Sequence, residues 1–296
     1  MKTKALSLLF LSIITISVQA QEIKKYKGTD IFLFDLNLKS SQILTNGKNI
    51  TERDGYDNQP SFSPDGKSVL YTSILDKQAD IYEYVLSSGQ RKQITSTPDV
   101  SEYSPTFIPN TNNFSVVMVE KDGVQRLWQY SRDGKFELTV KEILPVGYYV
   151  WKDENTLAMF VLGEHNTLHI LNKATRKHTI VKADIGRSLQ RIPDKNEISF
   201  VDKKNESSWM IKSLAMDSFK ETEIVKTIKG SEDYIWTPDG KIIMGSNSKL
   251  FIYDPLKKRE WQEIADLKDY GVNKILRLAI NSSGDKIAIV NDNPEK

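Results

Sequence analysis

A phrase that returns about every 44 residues constrains this chain more than any other feature of it. Phe62-Ser63-Pro64-Asp65-Gly66-Lys67 precedes the apolar run Val69-Leu70-Tyr71, and Trp236-Thr237-Pro238-Asp239-Gly240-Lys241 precedes Ile242-Ile243-Met244. A third copy, Ile280-Asn281-Ser282-Ser283-Gly284, precedes Ile287-Ala288-Ile289, and weaker copies start at Phe107, Trp151 and Arg191. Anchored at residues 62, 107, 151, 191, 236 and 280, the six copies are spaced by 45, 44, 40, 45 and 44 residues. Proline pre-sets φ for a tight turn, and Asp and Gly tolerate the conformations that reverse the chain, so each copy predicts a β-hairpin.

A third strand with an apolar-aromatic signature follows each complete copy: Asp80-Ile81-Tyr82, Arg126-Leu127-Trp128, Thr167-Leu168-His169, Met210-Ile211 and Lys249-Leu250-Phe251. Fourth strands are expected at Gln93-Ile94-Thr95, Glu137-Leu138-Thr139, Thr179-Ile180-Val181, Glu223-Ile224-Val225 and Gln262-Glu263-Ile264. Four short strands per period is the blade of a propeller. The last copy has only its first hairpin, while Asp30-Ile31-Phe32-Leu33-Phe34 and Ser41-Gln42-Ile43-Leu44-Thr45 supply third- and fourth-strand signatures before the first anchor. The expected fold is therefore all-β: a six-bladed β-propeller of four-stranded antiparallel blades, its ring closed by N-terminal strands that complete the last blade. Residues 21–296 are expected to form that single domain.

The first twenty residues read differently. Lys2 and Lys4 precede an apolar run from Ala5 to Val18 that ends in Val18-Gln19-Ala20, the pattern of a signal peptide over residues 1–20. The run is shorter than the about 20 apolar residues a bilayer requires, and no later segment approaches that length, so no membrane span is expected after cleavage. The chain has no cysteine, which removes disulfides, thiolate metal sites and a lipid-modified cysteine. An exported bacterial protein of the periplasm or the exterior fits these features. The formal net charge of +2 is too small for counterion release on nucleic acid to drive binding, so nucleic acid is not an expected partner.

The Pro-Asp-Gly hairpins, with an Asp-Ile-Tyr-type strand and a Gln-Ile-Thr strand after them, resemble the WD-like repeats of the TolB-type propeller. The resemblance covers nearly all of the mature chain and is sharpest in the first and fifth copies. It implies a six-bladed ring and partners among the proteins or peptidoglycan-associated components of the cell envelope. It extends to the propeller part alone, because an N-terminal α/β domain precedes the propeller in TolB proteins, whereas blade-like strands follow the signal here. Propellers of prolyl-oligopeptidase-like enzymes are similar too, but no Gly-x-Ser-x-Gly nucleophile elbow occurs in this sequence.

Few residues invite a catalytic reading. His165 and His169 are four apart and His178 is on the neighbouring strand, so a metal cluster is conceivable; His169, however, occupies the slot of Tyr82, Trp128 and Phe251 and reads as packing. Asp30 and Asp80 recur with the repeat period and are expected to serve turns or caps, as are Asp65 and Asp239. Trp151 and Trp236 share the anchor slot with Phe62 and Phe107 and belong between blades.

The residues four and three before each anchor, by contrast, vary from copy to copy, and in a propeller that segment borders the central channel. They contribute Asn58, Gln59, Tyr103, Ser104, Tyr148, Arg187, Glu232, Asp233 and Arg277. A row that varies while its scaffold repeats is what a binding surface needs. The leading expectation is a secreted, non-catalytic binding or scaffolding module for a protein, peptide or glycan of the envelope, without cofactor or metal. Two alternatives stand beside it. One is a propeller enzyme of lyase or lactonase type with a metal in the channel, where Glu102, Glu232 and Asp233 are the available acids. The other is a structural subunit of an envelope assembly.

Overall fold

The computed structural model describes residues 28–131, 133–257 and 259–293; the expected signal sequence at residues 1–20 lies outside them. Strands β1 (Gly28–Leu36) and β2 (Leu44–Asn49) come first, followed by β3 (Tyr56–Phe62), β4 (Ser68–Leu75), β5 (Gln78–Val85) and β6 (Arg91–Gln93). Next are β7 (Ser101–Phe107), β8 (Phe114–Val119), β9 (Gln125–Tyr130) and β10 (Phe136–Leu138), then β11 (Val146–Trp151), β12 (Thr156–Val161), β13 (Thr167–Asn172) and β14 (Lys177–Ala183). β15 (Ile185–Arg191), β16 (Glu197–Asp202), β17 (Met210–Ala215) and β18 (Glu221–Lys226) precede β19 (Tyr234–Trp236), β20 (Ile242–Ser246), β21 (Lys249–Tyr253) and β22 (Gln262–Asp266). β23 (Ile275–Ile280) and β24 (Lys286–Asn293) complete the all-β chain.

Each anchor residue ends the first strand of a hairpin: Phe62, Phe107, Trp151, Arg191, Trp236 and Ile280 close β3, β7, β11, β15, β19 and β23. The reversal follows the expected turn chemistry. Gly66 and Gly240 take positive φ of 68° and 79°, and the Ser63 hydroxyl accepts from the Lys67 and Ser68 N–H groups while donating to Asp65 at 2.7 Å. Those bonds from Ser63 and from the Lys67 N–H hold the Asp65 carboxyl below its usual range, as turn chemistry requires.

β7–β10, β11–β14, β15–β18 and β19–β22 form four separate four-stranded antiparallel sheets. A larger sheet runs β23-β24-β1-β3-β4-β5-β6, with β2 on β1. Inside it, β1 and β3 meet at a single parallel pair, Thr29↔Tyr56, so it divides into two antiparallel runs of four, β3–β6 and β23-β24-β1-β2. β1 pairs with β24 over eight consecutive positions, from Gly28↔Asn293 to Asp35↔Lys286.

Burial is graded across each sheet. In β4 all residues but the last are buried, whereas β6 is exposed throughout. Second strands are covered on both faces by neighbouring sheets, which is why they read as continuous apolar runs rather than alternating ones. The apolar clusters lie between sheets. Leu70 and Ile81 pack with Phe107 and Phe114; Val117 and Leu127 with Trp151 and Leu157; Phe160 and Leu168 with Ile198 and Phe200. Val201 and Ile211 pack with Trp236 and Met244; Ile243 and Leu250 with Phe34 and Ile289; and Ile31 and Val290 with Val69 and Tyr71. Two of these junctions carry the same polar lock. Ser199 on β16 accepts from Trp236 Nε1 and from the Tyr234 hydroxyl, both at 2.8 Å, and Ser115 on β8 accepts from Trp151 Nε1 at 2.7 Å and donates to the Tyr149 hydroxyl at 3.0 Å.

Two of the fourth strands depart from the sequence reading, whereas β14, β18 and β22 contain the expected segments. β2 runs over Leu44–Asn49 rather than residues 41–45, and β6 stops at Gln93. Beyond each, a threonine side chain takes over the ladder: the Ile31 N–H donates to Thr51 Oγ1 and the Ile81 N–H to Thr95 Oγ1, each at 2.9 Å. Ile50-Thr51 is thus the counterpart of Ile94-Thr95. Asp80 does not cap a turn but receives Gln93 Nε2 at 3.1 Å from β6, and Asp30 faces Asn293 of β24.

Two outcomes test this packing. Ser199→Ala strands a buried indole N–H and a buried phenol, and is expected to cost about 1–3 kcal/mol in urea unfolding. Glu102 on β7 is fully buried with Thr97 and Tyr130 donating to it, and burial raises its carboxyl above the ordinary 4.5. A raised folded-state pKa means stability that is complete below 4.5 and lost as pH climbs through the raised value. Wild type should therefore gain on Glu102→Gln as pH falls from neutrality toward 4.5, as read by unfolding midpoints.

Candidate functional site

Except for Glu232 and Asp233, which immediately precede β19, the variable residues before the anchors stand on first strands that are irregular in a recurrent way. The register to the second strand slips at Asn58/Ser61 in β3, Tyr103/Thr106 in β7, Val146/Tyr148 in β11, Ile185/Leu189 in β15 and Ile275/Arg277 in β23. An extra residue in one strand leaves it unpaired and re-aims its side chain. Gln59 and Ser104 have positive φ of 59° and 54°, and the Ser104 N–H donates to Gln59 Oε1 at 2.9 Å.

First strands from all four small sheets and from both halves of the large one surround a cavity of about 1130 Å³. Its lining begins at Gln59, Ser104, Tyr148, Arg187, Asp233 and Arg277 and extends to the hairpin turns at Pro64, Pro109, Lys152, Pro193, Pro238 and Ser282. The first group forms a connected floor. Arg277 Nη2 on β23 donates to the Tyr148 hydroxyl on β11 at 2.9 Å, with its guanidinium carbon 4.8 Å from the ring centre. Arg277 Nη1 is 3.5 Å from Asp233 Oδ1, while Arg187 Nη2 donates to the other oxygen of Asp233. Glu232 lies behind, 2.7 Å from Lys203 Nζ, and accepts the Arg187 N–H at 3.3 Å. Gly186 makes room for it, because a Cβ there would come within 2.6 Å of Glu232 Oε2.

Electrostatics keep Arg187 of this floor charged. Burial works against its guanidinium, but Asp233 and Glu232 outweigh it and raise its pKa further.

Of the nine sequence-selected residues, the structure brings together Gln59, Ser104, Tyr148, Arg187, Asp233 and Arg277 at the cavity. Asn58 is buried and its side chain accepts the Gln59 N–H; Tyr103 packs against the cluster around Trp151; Glu232 supports Arg187. These three do not line the cavity. Sequence reasoning passed over Lys152, Arg191 and Lys195, which line its wall and have no ion-pair partner among the described residues. The available signal was Arg191, an exposed cation in an anchor slot that holds Phe or Trp in four other copies. The bulges had a signal as well: Pro60 and Pro105 sit inside strand-like runs, where proline is confined to edges and bulges.

The three histidines do not form one cluster. His165 sits in a turn and pairs with Asp184 at 2.7 Å, while buried His169 contacts His178 Nε2 at 2.9 Å and Thr167 at 2.8 Å. Burial, with the neighbouring His178, lowers the His169 pKa to about 4, so it is a neutral packing residue at ordinary pH. Among the described residues no three His or acidic side chains are grouped to hold a metal ion. Of the acids considered for a channel metal, Glu102 lies away from the cavity and Asp233 faces two arginines. No helix among the described residues is long and apolar enough to cross a membrane.

Comparison with known proteins agrees with this architecture. No protein-family model matches the chain. TolB of the Tol-Pal system from Legionella pneumophila is 45% identical over 42 residues, which is 14% of this chain and 10% of the relative's own length. A solved Agrobacterium tumefaciens structure assigned as a TolB superposes with a TM-score of 0.70 at 14% identity, covering 90% of this chain and 98% of the other. An oligogalacturonate lyase solved with manganese superposes at 0.58 and 13% identity, covering 84% of this chain and 80% of the other. The chain has the TolB-like β-propeller fold.

Proposed function

We propose that the chain is a non-catalytic binding module of the bacterial envelope, a single six-bladed propeller whose cavity receives part of a partner macromolecule. Six inter-sheet clusters support the blade count, since each joins two consecutive units and the last joins the β23-β24-β1-β2 unit to β3–β6. In this reading β1 and β2 complete the sixth blade and close the ring. The N-terminal apolar segment supports export.

The observation that carries the binding reading is the cavity itself. Its floor draws Gln59, Ser104, Tyr148, Arg187, Asp233 and Arg277 from successive first strands or the residue just before one, while the hairpin turns repeat. A repeated scaffold with one variable concave row is the usual arrangement of a recognition surface. The fold also serves catalysis in other proteins, and the manganese-bound lyase marks the competing reading. That reading needs acids, Asn or His free to converge on a metal. The cavity supplies two acids, Asp194 and Asp233, of which Asp233 is held between Arg187 and Arg277.

Two measurements test this. Tyr148→Ala and Arg187→Ala should abolish cross-linking of the mature chain to its partner in native envelope, while Tyr103→Ala should lower the melting temperature and leave cross-linking intact. Retention of the cross-link in both cavity variants would refute the assignment. Elemental analysis of the purified protein should find no stoichiometric metal; one ion per chain would revive the enzyme reading.

A further inference from the structure

We propose that the cavity floor is an oxyanion site that the protein fills with its own Asp233, and that a carboxylate or phosphate group of the ligand takes that place. This rests on the reading of the cavity as the binding end of the molecule and names the chemistry it recognises.

Three observations lead to it. First, the charge is concentrated. The cavity is lined by five basic residues, Lys152, Arg187, Arg191, Lys195 and Arg277, against two acidic ones, giving +3 on one surface of a chain whose whole net charge is +2. Clefts lined by one sign of charge focus the field and draw in ions of the other sign. Second, Asp233 is shared. One carboxylate serves two arginines from different sheets, Arg187 on β15 and Arg277 on β23, and the Arg277 contact is a 3.5 Å ion pair rather than a bidentate fork. Guanidinium groups bind carboxylate and phosphate best through paired N–H donors, so this arrangement leaves donor capacity unspent.

Third, two donors on residues that line the cavity are buried without any hydrogen-bond partner: Arg187 Nε, on the side chain that bonds Asp233, and the Ser104 hydroxyl on β7. Arg187 Nε lies 3.5 Å from Glu232 Oε1 but outside hydrogen-bonding geometry. Buried donors left unmade are costly, and in a native protein they commonly mark a place where something else binds. An incoming oxyanion brings two or three acceptor oxygens where Asp233 brings two. It can satisfy the arginines together with the idle Arg187 Nε, while Arg191, Lys152 and Lys195 line its path from the turn end of the cavity.

The lining argues against a neutral sugar as the ligand. Its aromatic side chains Phe62, Phe107, Tyr149, Trp151, Tyr234 and Trp236 border the cavity but are at most 9% exposed, so they offer little face to a sugar ring. Tyr148 is the more exposed aromatic there, and Arg277 lies over its ring.

The test is calorimetric titration of the mature chain with inorganic phosphate and, separately, citrate, each at constant ionic strength against chloride. Saturable binding of either is expected, and the tighter of the two names the group. Asp233→Asn should bind about 10-fold tighter because the internal competitor loses its charge, and Arg277→Gln should bind at least 10-fold weaker. Arg191→Gln, on an exposed residue, should melt like wild type yet bind more weakly, which keeps the test valid if Arg277→Gln fails to fold. Absence of saturable binding by both anions, or weaker binding in Asp233→Asn, would overturn the proposal. If anions fail to bind while Arg187→Ala still loses its partner, this inference falls and the binding-module reading stands.

Discussion

The pairing of β1 with β24 is the constraint on which the rest depends. Eight consecutive positions join residues at opposite ends of the described chain, and both strands are largely buried. Without β1, β24 would keep β23 alone and present an unpaired apolar edge, the kind of surface that recruits other chains. The pairing also places Thr29 beside β3, where its hydroxyl donates to the Asp57 carbonyl at 2.9 Å and accepts the Asp57 N–H at 3.1 Å. Arg53 then bonds the Asp57 carboxylate at 2.9 Å, although burial raises that carboxyl's pKa ahead of the opposing pull of Arg53. One strand thereby fixes the inner edges of two units, β23 through β24 and β3 through Thr29, and those edges border the cavity.

Position on an inner strand is not enough to build a floor, because a regular strand would alternate its side chains between the neighbouring sheets. The bulges break that alternation. They hold Gln59 and Ser104 at positive φ, a conformation that costs an ordinary residue about 1–3 kcal/mol and persists only where its surroundings enforce it. The enforcement at Ser104 can be traced. Trp151 Nε1 donates to Ser115, Ser115 to the Tyr149 hydroxyl, and Tyr149 to the Ser104 carbonyl at 2.8 Å. The lock that joins two sheets therefore ends on the backbone of the site.

The same chain of bonds explains what could be read from the sequence. Hairpins were legible because Pro-Asp-Gly chemistry is local: the turn is decided within four residues and leaves the same imprint at Phe62 and Trp236. Third strands were legible through their buried Ile or Leu. The end of the fourth strand was not, because Thr51 and Thr95 accept ladder hydrogen bonds with their side chains, and nothing in Gln42-Ile43-Leu44-Thr45 distinguishes it locally from Gln93-Ile94-Thr95. Six residues of the variable row that the period picks out line the cavity and three do not. Whether Tyr103 or Ser104 faces the cavity depends on the bulge between them and Thr106, and a bulge is a relation between two strands.

Repetition and variation thus fall on different residues of the same repeat. Ser115 and Ser199 hold equivalent Tyr-Trp pairs 85 residues apart in sequence at Trp151 and Trp236, so two junctions share one Ser-Tyr-Trp pattern, with Ser115 donating to Tyr149 and Ser199 accepting from Tyr234. Tyr148 on β11 and Asp233 just before β19 stand at the equivalent position three residues before those tryptophans and have different chemistry. Because the lock consumes the residues two before and at the anchor, the residue three before it is released from packing and can be exchanged without cost to the junction. The floor of Tyr148, Arg187, Asp233 and Arg277 is therefore free to specify charge, and the repeat that builds the fold is what gives it that freedom.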